Sequence, residues 1–380
     1  MMGKRKHAVL PASSSARWIA CTRSALLNLQ TDDEYSPYAA QGTDAHAVCE
    51  HLIKKALGRK SRDPTPDLTW YDQEMQECAE GYRDFVMEQI EEAKMLSPDP
   101  YVGIEQRLDY SKWVPEGFGT GDCVIIADGL LHIIDYKYGV GIPVAAEKNS
   151  QLMCYAVAAL DTFEGIYHLE RVKLSIYQPR RENVCTWETT KDELFKWANE
   201  VLAPAATLAL NGKGEFTPGS HCTFCKVKET CRARAEEEMK LMKYEFADPE
   251  FLSDDEIALI LPAIDNLTAW TSDVKEYALK KALSGVHFKG FKVVEGKANR
   301  KYIDEGAVAK VLTDAGCNPY EKKVKGITAL TKELGRKRFD ELLSSLIERP
   351  NGKPVLVPES DKRPEYVNVT NSDFETEEGE

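Results

Sequence analysis

Asp122, Asp135 and Lys137 are the residue types that phosphodiester hydrolysis needs in one place. Paired carboxylates hold a divalent cation that polarises a phosphate oxygen, and an ammonium steadies the charge that builds up in the transition state. Asp128-Gly129 lies midway between two runs rich in Val and Ile, Gly119–Ala127 and Leu130–Tyr138. An Asp-Gly pair between such runs predicts a two-residue hairpin of type I′. Ala127 then pairs with Leu130, and counting outward sets Asp122 opposite Asp135. Alternation puts Thr120, Asp122, Val124 and Ile126 on one face with Leu131, Ile133, Asp135 and Lys137. Two carboxylates facing each other across a ladder repel unless something positive sits between them, and a divalent cation is the natural candidate. Asp-x-Lys by itself is common on solvated strand faces, so the opposed aspartates give the pattern its weight.

Sulfur supplies a second constellation. Cys222-x-x-Cys225-x5-Cys231 is compact, and Cys21 lies about two hundred residues earlier. Four thiolates suit either tetrahedral zinc or a four-iron, four-sulfur cluster, and spacing alone leaves both open. Zinc ribbons normally bring two close pairs rather than one and three. Cys49, Cys78, Cys123, Cys154, Cys185 and Cys317 fall in helical or strand patterns and read as buried small hydrophobes.

These groups need elements to carry them. Ser13–Leu29 reads as one helix with Cys21 inside it. Helices are expected over Thr43–Leu57 and Asp72–Met95, separated by the Pro-containing stretch Ser61–Leu68. Three strands follow, Tyr101–Leu108 and the two arms of the hairpin. A helix over Glu147–Leu160, a strand at Val172–Tyr177 and a helix running from the capping box of Thr190 and Glu193 to Leu210 lead into the cysteine trio. Ser253 and Glu256 repeat the capping pattern ahead of a long amphipathic helix. Further polar residues arrive in order: Gly42-Thr43-x-x-His46 on an early helix, Glu105 on the first strand, and Gln151-x-x-x-Tyr155 on one face of the helix after the hairpin. Each alone has an ordinary structural role; the conjunction is what points to chemistry.

That conjunction resembles the RecB-like branch of the PD-(D/E)XK nucleases, which includes the nuclease domains of the RecB and AddB recombination proteins and the CRISPR adaptation nucleases. It covers about residues 13 to 235. The resemblance implies a restriction-endonuclease-like α/β core, a mixed sheet flanked by helices. His46, Asp122, Asp135 and the carbonyl of Tyr136 would be ligands to Mg²⁺ or Mn²⁺, and Lys137 the catalytic lysine. Gln151 and Tyr155 would position substrate and Lys137, and Glu105 would be an additional acidic group. The one-plus-three cysteines resemble the iron–sulfur staple of AddB and the CRISPR nucleases, which implies a structural 4Fe-4S cluster on Cys21, Cys222, Cys225 and Cys231. Thr22 stands where that pattern has proline. The whole chain, including Glu359-Ser360-Asp361-Lys362-Arg363-Pro364 and Asp373-Phe374, also resembles an uncharacterised phage and prophage family, which implies an exonuclease resecting DNA ends beside a single-strand annealing or single-strand-binding protein. A non-catalytic DNA-binding scaffold and an endonuclease or nickase remain as alternatives, and oligomeric state stays open.

Composition bounds the rest. The chain has 380 residues and 43% hydrophobic content, enough for one large or two ordinary domains. The expected layout is a nuclease domain over 1–240 with a mainly helical N-terminal part, a smaller α+β accessory domain over 250–365 for DNA or a partner, and an acidic, disordered tail over 366–380. A net charge of −13 argues against non-specific coating of nucleic acid but leaves room for a local basic groove. Lys322, Lys323, Lys325, Lys332, Arg336, Lys337 and Arg338 form the densest positive stretch, which reads either as a solvated helix face or as a phosphate-tracking surface. Residues 286–304 read as a strand entering a basic turn at Asn299-Arg300-Lys301. No apolar run is long enough to span a membrane and no secretory signal is encoded, so a cytoplasmic protein is expected, with thiols free or on metal rather than in disulfides.

Overall fold

The two hairpin strands are apolar at nearly every position near their turn, which is what a strand covered on both faces requires. Cys123–Ala127 and Leu131–Tyr136 are buried throughout in the computed structural model, which describes residues 8–31, 35–240, 252–295, 303–320 and 324–347. The chain opens with α1 (Ser15–Ala20) and α2 (Ser24–Gln30), then α3 (Pro37–Ala56) and α4 (Gln73–Lys94). β1 (Tyr101–Asp109), β2 (Phe118–Ala127), β3 (Gly129–Tyr136), α5 (Ser150–Phe163), β4 (Leu169–Gln178) and β5 (Asn183–Thr190) follow. The strands form one sheet in chain order, antiparallel at every junction except β3/β4. That parallel pair needs a crossover, and α5 supplies it.

Alternation sorts the sheet's side chains onto two layers. Val124, Ile126, Leu131 and Ile133 pack with α5 and the helices after β5, whereas Cys123, Ile125, Ala127, Ile134 and Tyr136 pack with α3 and α4. The result is a mixed five-stranded sheet flanked by helices. Among the described residues no helix is long and apolar enough to cross a membrane.

Several boundaries differ from expectation for identifiable reasons. The first helix is two: α1 ends at Cys21, whose N–H makes a last helical bond to the Arg17 carbonyl at 2.8 Å. Beyond it the Cys21 carbonyl accepts the Ser24 hydroxyl at 2.7 Å, so Cys21 sits in a break and not within a helix. α3 starts earlier than Thr43 because Ser36 caps it and Pro37 suits its first turn. The helix after β5 keeps its capping box but changes pitch, α6 (Lys191–Trp197) passing through a π turn at Ala198–Leu202 into α7 (Ala203–Leu210). Pro204 lacks an N–H and crowds the preceding turn, which explains the irregularity. β5 is an edge strand whose exposed positions alternate with half-buried ones, a pattern too polar to have been read as a strand.

Past α8 (Arg232–Glu238), Ser253 and Glu256 cap α9 (Asp254–Leu283). The chain divides into two compact units, residues 1–250 with Asn266–Val293, and Phe251–Asp265 with 294–380. The first takes in a segment that composition placed in the second. The second contains α10 (Glu305–Asp314), α11 (Ile327–Leu334) and α12 (Arg336–Leu343) and, among the described residues, no strand. Phe291–Glu295, expected as a strand, has no regular structure, and Cys317 is exposed rather than buried because α10 has ended at Asp314. Asn299–Lys301, Lys322, Lys323, the Glu359–Pro364 motif and the acidic tail lie outside the described residues.

Candidate functional site

The hairpin register is the expected one, from Ala127↔Leu130 to Cys123↔Ile134. Its turn is not type I′, since Gly129 has φ 76 while Asp128 does not share the positive φ that type requires. The ladder stops where Asp122 would meet Asp135. There the Asp122 carboxylate takes over as acceptor, its Oδ2 receiving the Tyr136 N–H at 2.6 Å. β1 is interrupted at the same level. Ile104 pairs with Cys123 and Gln106 with Gly121, and Glu105 between them has φ 50, a left-handed conformation that costs a side-chain-bearing residue about 1–3 kcal/mol.

These interruptions assemble a pocket. His46, from α3, brings Nδ1 to 3.2 Å from Asp122 Oδ1. Donor atoms of His46, Glu105 and Asp122 all lie within 4.8 Å of one another, close enough to share one cation. Burial and then the neighbouring Asp122 push the Glu105 carboxyl up to about 7. Burial disfavours charge on His46, yet Asp122, with Asp135 and Glu105, outweighs it and raises the imidazole to about 9. The acidic pocket thus already attracts positive charge, and a bound metal ion would displace that proton.

Asp135 lies beside this group in a bonded triangle. Its Oδ2 is 2.8 Å from Lys137 Nζ, its Oδ1 accepts Gln151 Nε2 at 3.0 Å, and Lys137 Nζ donates to Gln151 Oε1 at 3.0 Å. Burial, reinforced by Asp122, raises the Asp135 carboxyl above its ordinary value, with Lys137 opposing. Burial would discharge Lys137, but Asp135 and then Asp122 more than compensate. Gln151 Nε2 also reaches the Tyr155 hydroxyl at 3.4 Å, one helical turn on. Gly119 makes room for that ring: a Cβ there would meet Tyr155 Cε1 at 2.7 Å. The Tyr136 ring is buried edge-on to His46, and its N–H on Asp122 sets its backbone beside the pocket. His46, Glu105 and Asp122 thus gather in one group, and Asp135, expected as a fellow ligand, lies outside it with Lys137, Gln151 and Tyr155.

The four expected cysteines also converge. Cys21, Cys222, Cys225 and Cys231 line a single cavity as free thiols, with Arg17, Ser24, His221 and Lys228 around them. Burial opposes ionisation of Cys21 and Cys222, but hydrogen bonds from His221 and nearby N–H groups lower both thiols below the usual range. Tetrahedral zinc, with Zn–S near 2.3 Å, holds its sulfurs about 3.8 Å apart. The four thiols suit such a zinc site or a four-iron, four-sulfur cluster alike. Thr22, in place of the expected proline, donates its hydroxyl to the Lys213 carbonyl at 2.9 Å and ties the Cys21 break to the loop before the trio. Arg17, Asn28 and His221 were not anticipated. The only sequence signal was their proximity to Cys21 and Cys222.

Fold and sites together define a mixed α/β protein with a carboxylate–imidazole pocket beside a half-buried lysine, and a separate four-thiol cavity. The family model described as "Protein of unknown function (DUF2800)" matches residues 7–364, and the chain belongs to that family. Among solved structures, the crystal structure of SSO0001 is similar at 13% identity and a TM-score of 0.22, over 58% of this chain and 96% of that one. A likeness at that level carries no argument about fold or function.

Proposed function

We propose that this chain is a metal-dependent DNA nuclease with a PD-(D/E)XK core of the RecB-like type, acting as an exonuclease that resects ends for recombination and stapled by a 4Fe-4S cluster. The observation that carries the reading is the junction of three strands at Asp122, where His46, Glu105 and Asp122 gather within one cation's reach and the Asp135–Lys137–Gln151 triangle adjoins them. His46, Glu105 and Asp122, with Asp135 alongside, would hold Mg²⁺ or Mn²⁺, which would supply Lewis-acid polarisation of a phosphate oxygen and ease deprotonation of water. Lys137, kept charged by its carboxylate neighbours, stabilises the negative charge that develops on the phosphoryl oxygens. Gln151 holds Lys137 and Asp135 in fixed relation, and Tyr155 braces Gln151 from the next turn.

The four thiols that line one cavity support a shared metal group, and their one-plus-three spacing favours a cluster over the two close pairs of a zinc ribbon. Held on Cys21, Cys222, Cys225 and Cys231, the cluster would bind the N-terminal helices to the end of the domain and leave hydrolysis to the other site. A single-strand annealing or single-strand-binding protein is the proposed partner.

End-labelled linear DNA and closed circular DNA, incubated with the anaerobically purified chain and Mn²⁺, test the reading. Mononucleotides from the linear substrate alone are expected. Lys137→Ala should slow the reaction by about a hundredfold or more, as loss of a transition-state charge partner does, and Asp122→Ala should abolish it with the circular dichroism spectrum unchanged. Cleavage undiminished in both variants would place the chemistry elsewhere, and binding without products would favour a scaffold.

A further inference from the structure

The cysteine cavity has a built-in polar wall that comes from the same segment as Cys21. Asn28, on α2, is buried, and its carboxamide is committed on three sides. Nδ2 donates to Cys225 Sγ at 3.3 Å and to the Ser24 carbonyl at 2.8 Å, while Oδ1 accepts the Lys226 N–H at 2.8 Å. Arg17, on α1, donates to the Ser24 hydroxyl at 3.0 Å and lines the cavity with the four thiols. The Ser24 hydroxyl in turn donates to the Cys21 carbonyl. One short segment therefore delivers a thiol, a carboxamide N–H and a guanidinium to the same cavity, and Ser24 locks their spacing.

Ordinary packing does not call for this arrangement. A buried carboxamide needs partners, but backbone groups would satisfy it; here one of its two N–H bonds goes to a sulfur that belongs to the other end of the domain. Hydrogen bonds to cluster sulfurs and positive charge nearby stabilise the more negative oxidation state and so raise the reduction potential. Removing a buried donor also leaves Cys225 exposed to exchange.

We propose that Asn28 is a positioning residue that keys the N-terminal segment to Cys225 and Lys226 and, through its N–H to the Cys225 sulfur, sets the reduction potential and retention of the bound cluster. The proposal rests on the cluster reading of the cavity. Asn28→Ser removes the N–H without adding charge, and Asn28→Asp keeps the acceptor for Lys226 while placing negative charge against the thiolate.

The test uses the full chain purified anaerobically, with far-ultraviolet circular dichroism to verify folding, iron and sulfide analysis, and a reductive titration followed by electron paramagnetic resonance. The expected order of reduction potentials is wild type highest, Asn28→Ser lower and Asn28→Asp lowest, with iron loss in air accelerating in the same order. Identical potentials and iron retention in all three folded proteins would overturn the role of Asn28 while leaving the cluster in place. Folded wild-type protein holding stoichiometric zinc and no sulfide would overturn the cluster and this role together. Should Asn28→Asp fail to fold, Asn28→Ser against wild type still decides the order.

Discussion

Glu105 holds a backbone conformation that its own side chain disfavours, and it does so in the middle of a strand beside two other carboxylates. Such strain persists when the geometry it enforces is worth keeping, here a third donor atom facing His46 and Asp122. Glu105→Gly should remove both the left-handed strain and part of the like-charge repulsion, stabilising the chain by about 1 kcal/mol or more. Calorimetric titration should then show weaker Mn²⁺ binding, so a higher unfolding temperature with unchanged metal affinity would exclude Glu105 from the pocket. His132 offers a residue-scale test independent of any metal. It is 2% exposed, bonds Ser175 Oγ at 2.8 Å, and burial followed by the nearby Lys173 lowers its pKa well below the ordinary value. The unfolded chain therefore takes up a proton near pH 6.5 that the folded chain refuses. The His132 contribution is full above that pH and falls below it at up to about 1.4 kcal/mol per pH unit. The denaturant midpoint of the wild type relative to His132→Gln should therefore fall between pH 7 and pH 5. The aspartates and Lys137 were legible because a hairpin converts sequence spacing into register. Asn28 was not, because its partners Cys225 and Lys226 arrive from far along the chain.

At the scale of elements, α9 is anchored to the cysteine module by one carboxylate. Asp273 receives Lys228 at 2.8 Å and Arg234 at 2.7 Å, residues on either side of Cys231. The Arg234 guanidinium is nearly inaccessible, and these two cations hold the Asp273 carboxyl below its ordinary range although burial works against them. Asp273→Ala would leave the buried Arg234 guanidinium with only Glu238 Oε1 at 3.9 Å, a loss of up to about 3–5 kcal/mol for a pair of this kind. Adding Arg234→Met should recover much of that, because an apolar side chain replaces the unpaired charge. Urea unfolding of the two single variants and the double variant measures the coupling, and additive losses would mean the pair is only a surface contact. Such an anchor cannot be read from periodicity, which finds α9 but not what holds it. The break at Cys21 escaped for a related reason. Ser13–Leu29 has helix-forming residues throughout, and what stops the helix is the Ser24 hydroxyl on the Cys21 carbonyl together with the Thr22 hydroxyl on the Lys213 carbonyl in the loop before the trio.

For the whole molecule, the cysteine cavity brings residue 21 together with residues 222–231, the ends of a loop of about two hundred residues. Tying such ends together removes chain entropy on the order of 5 kcal/mol from the unfolded state. The four-thiol cavity and the carboxylate–imidazole pocket sit on different elements: α1, α2 and the trio on one hand, the β1–β3 junction and α3 on the other. Loss of the proposed cluster should therefore loosen the first group before the second. Hydrogen exchange on the anaerobic protein, before and after chelation of its iron, should show α1, α2 and residues 220–231 losing protection. Amides of β2 and β3, buried on both faces, should keep theirs. Cleavage by the stripped protein should persist at low temperature and fail on heating, as the reduced stability margin predicts. If exchange rose uniformly across the sheet, the cysteine module would be part of the core's own folding unit and not a clasp on it. If nothing changed, the thiols would contribute no stability, and the convergence of four cysteines from opposite ends of the domain would need another cause.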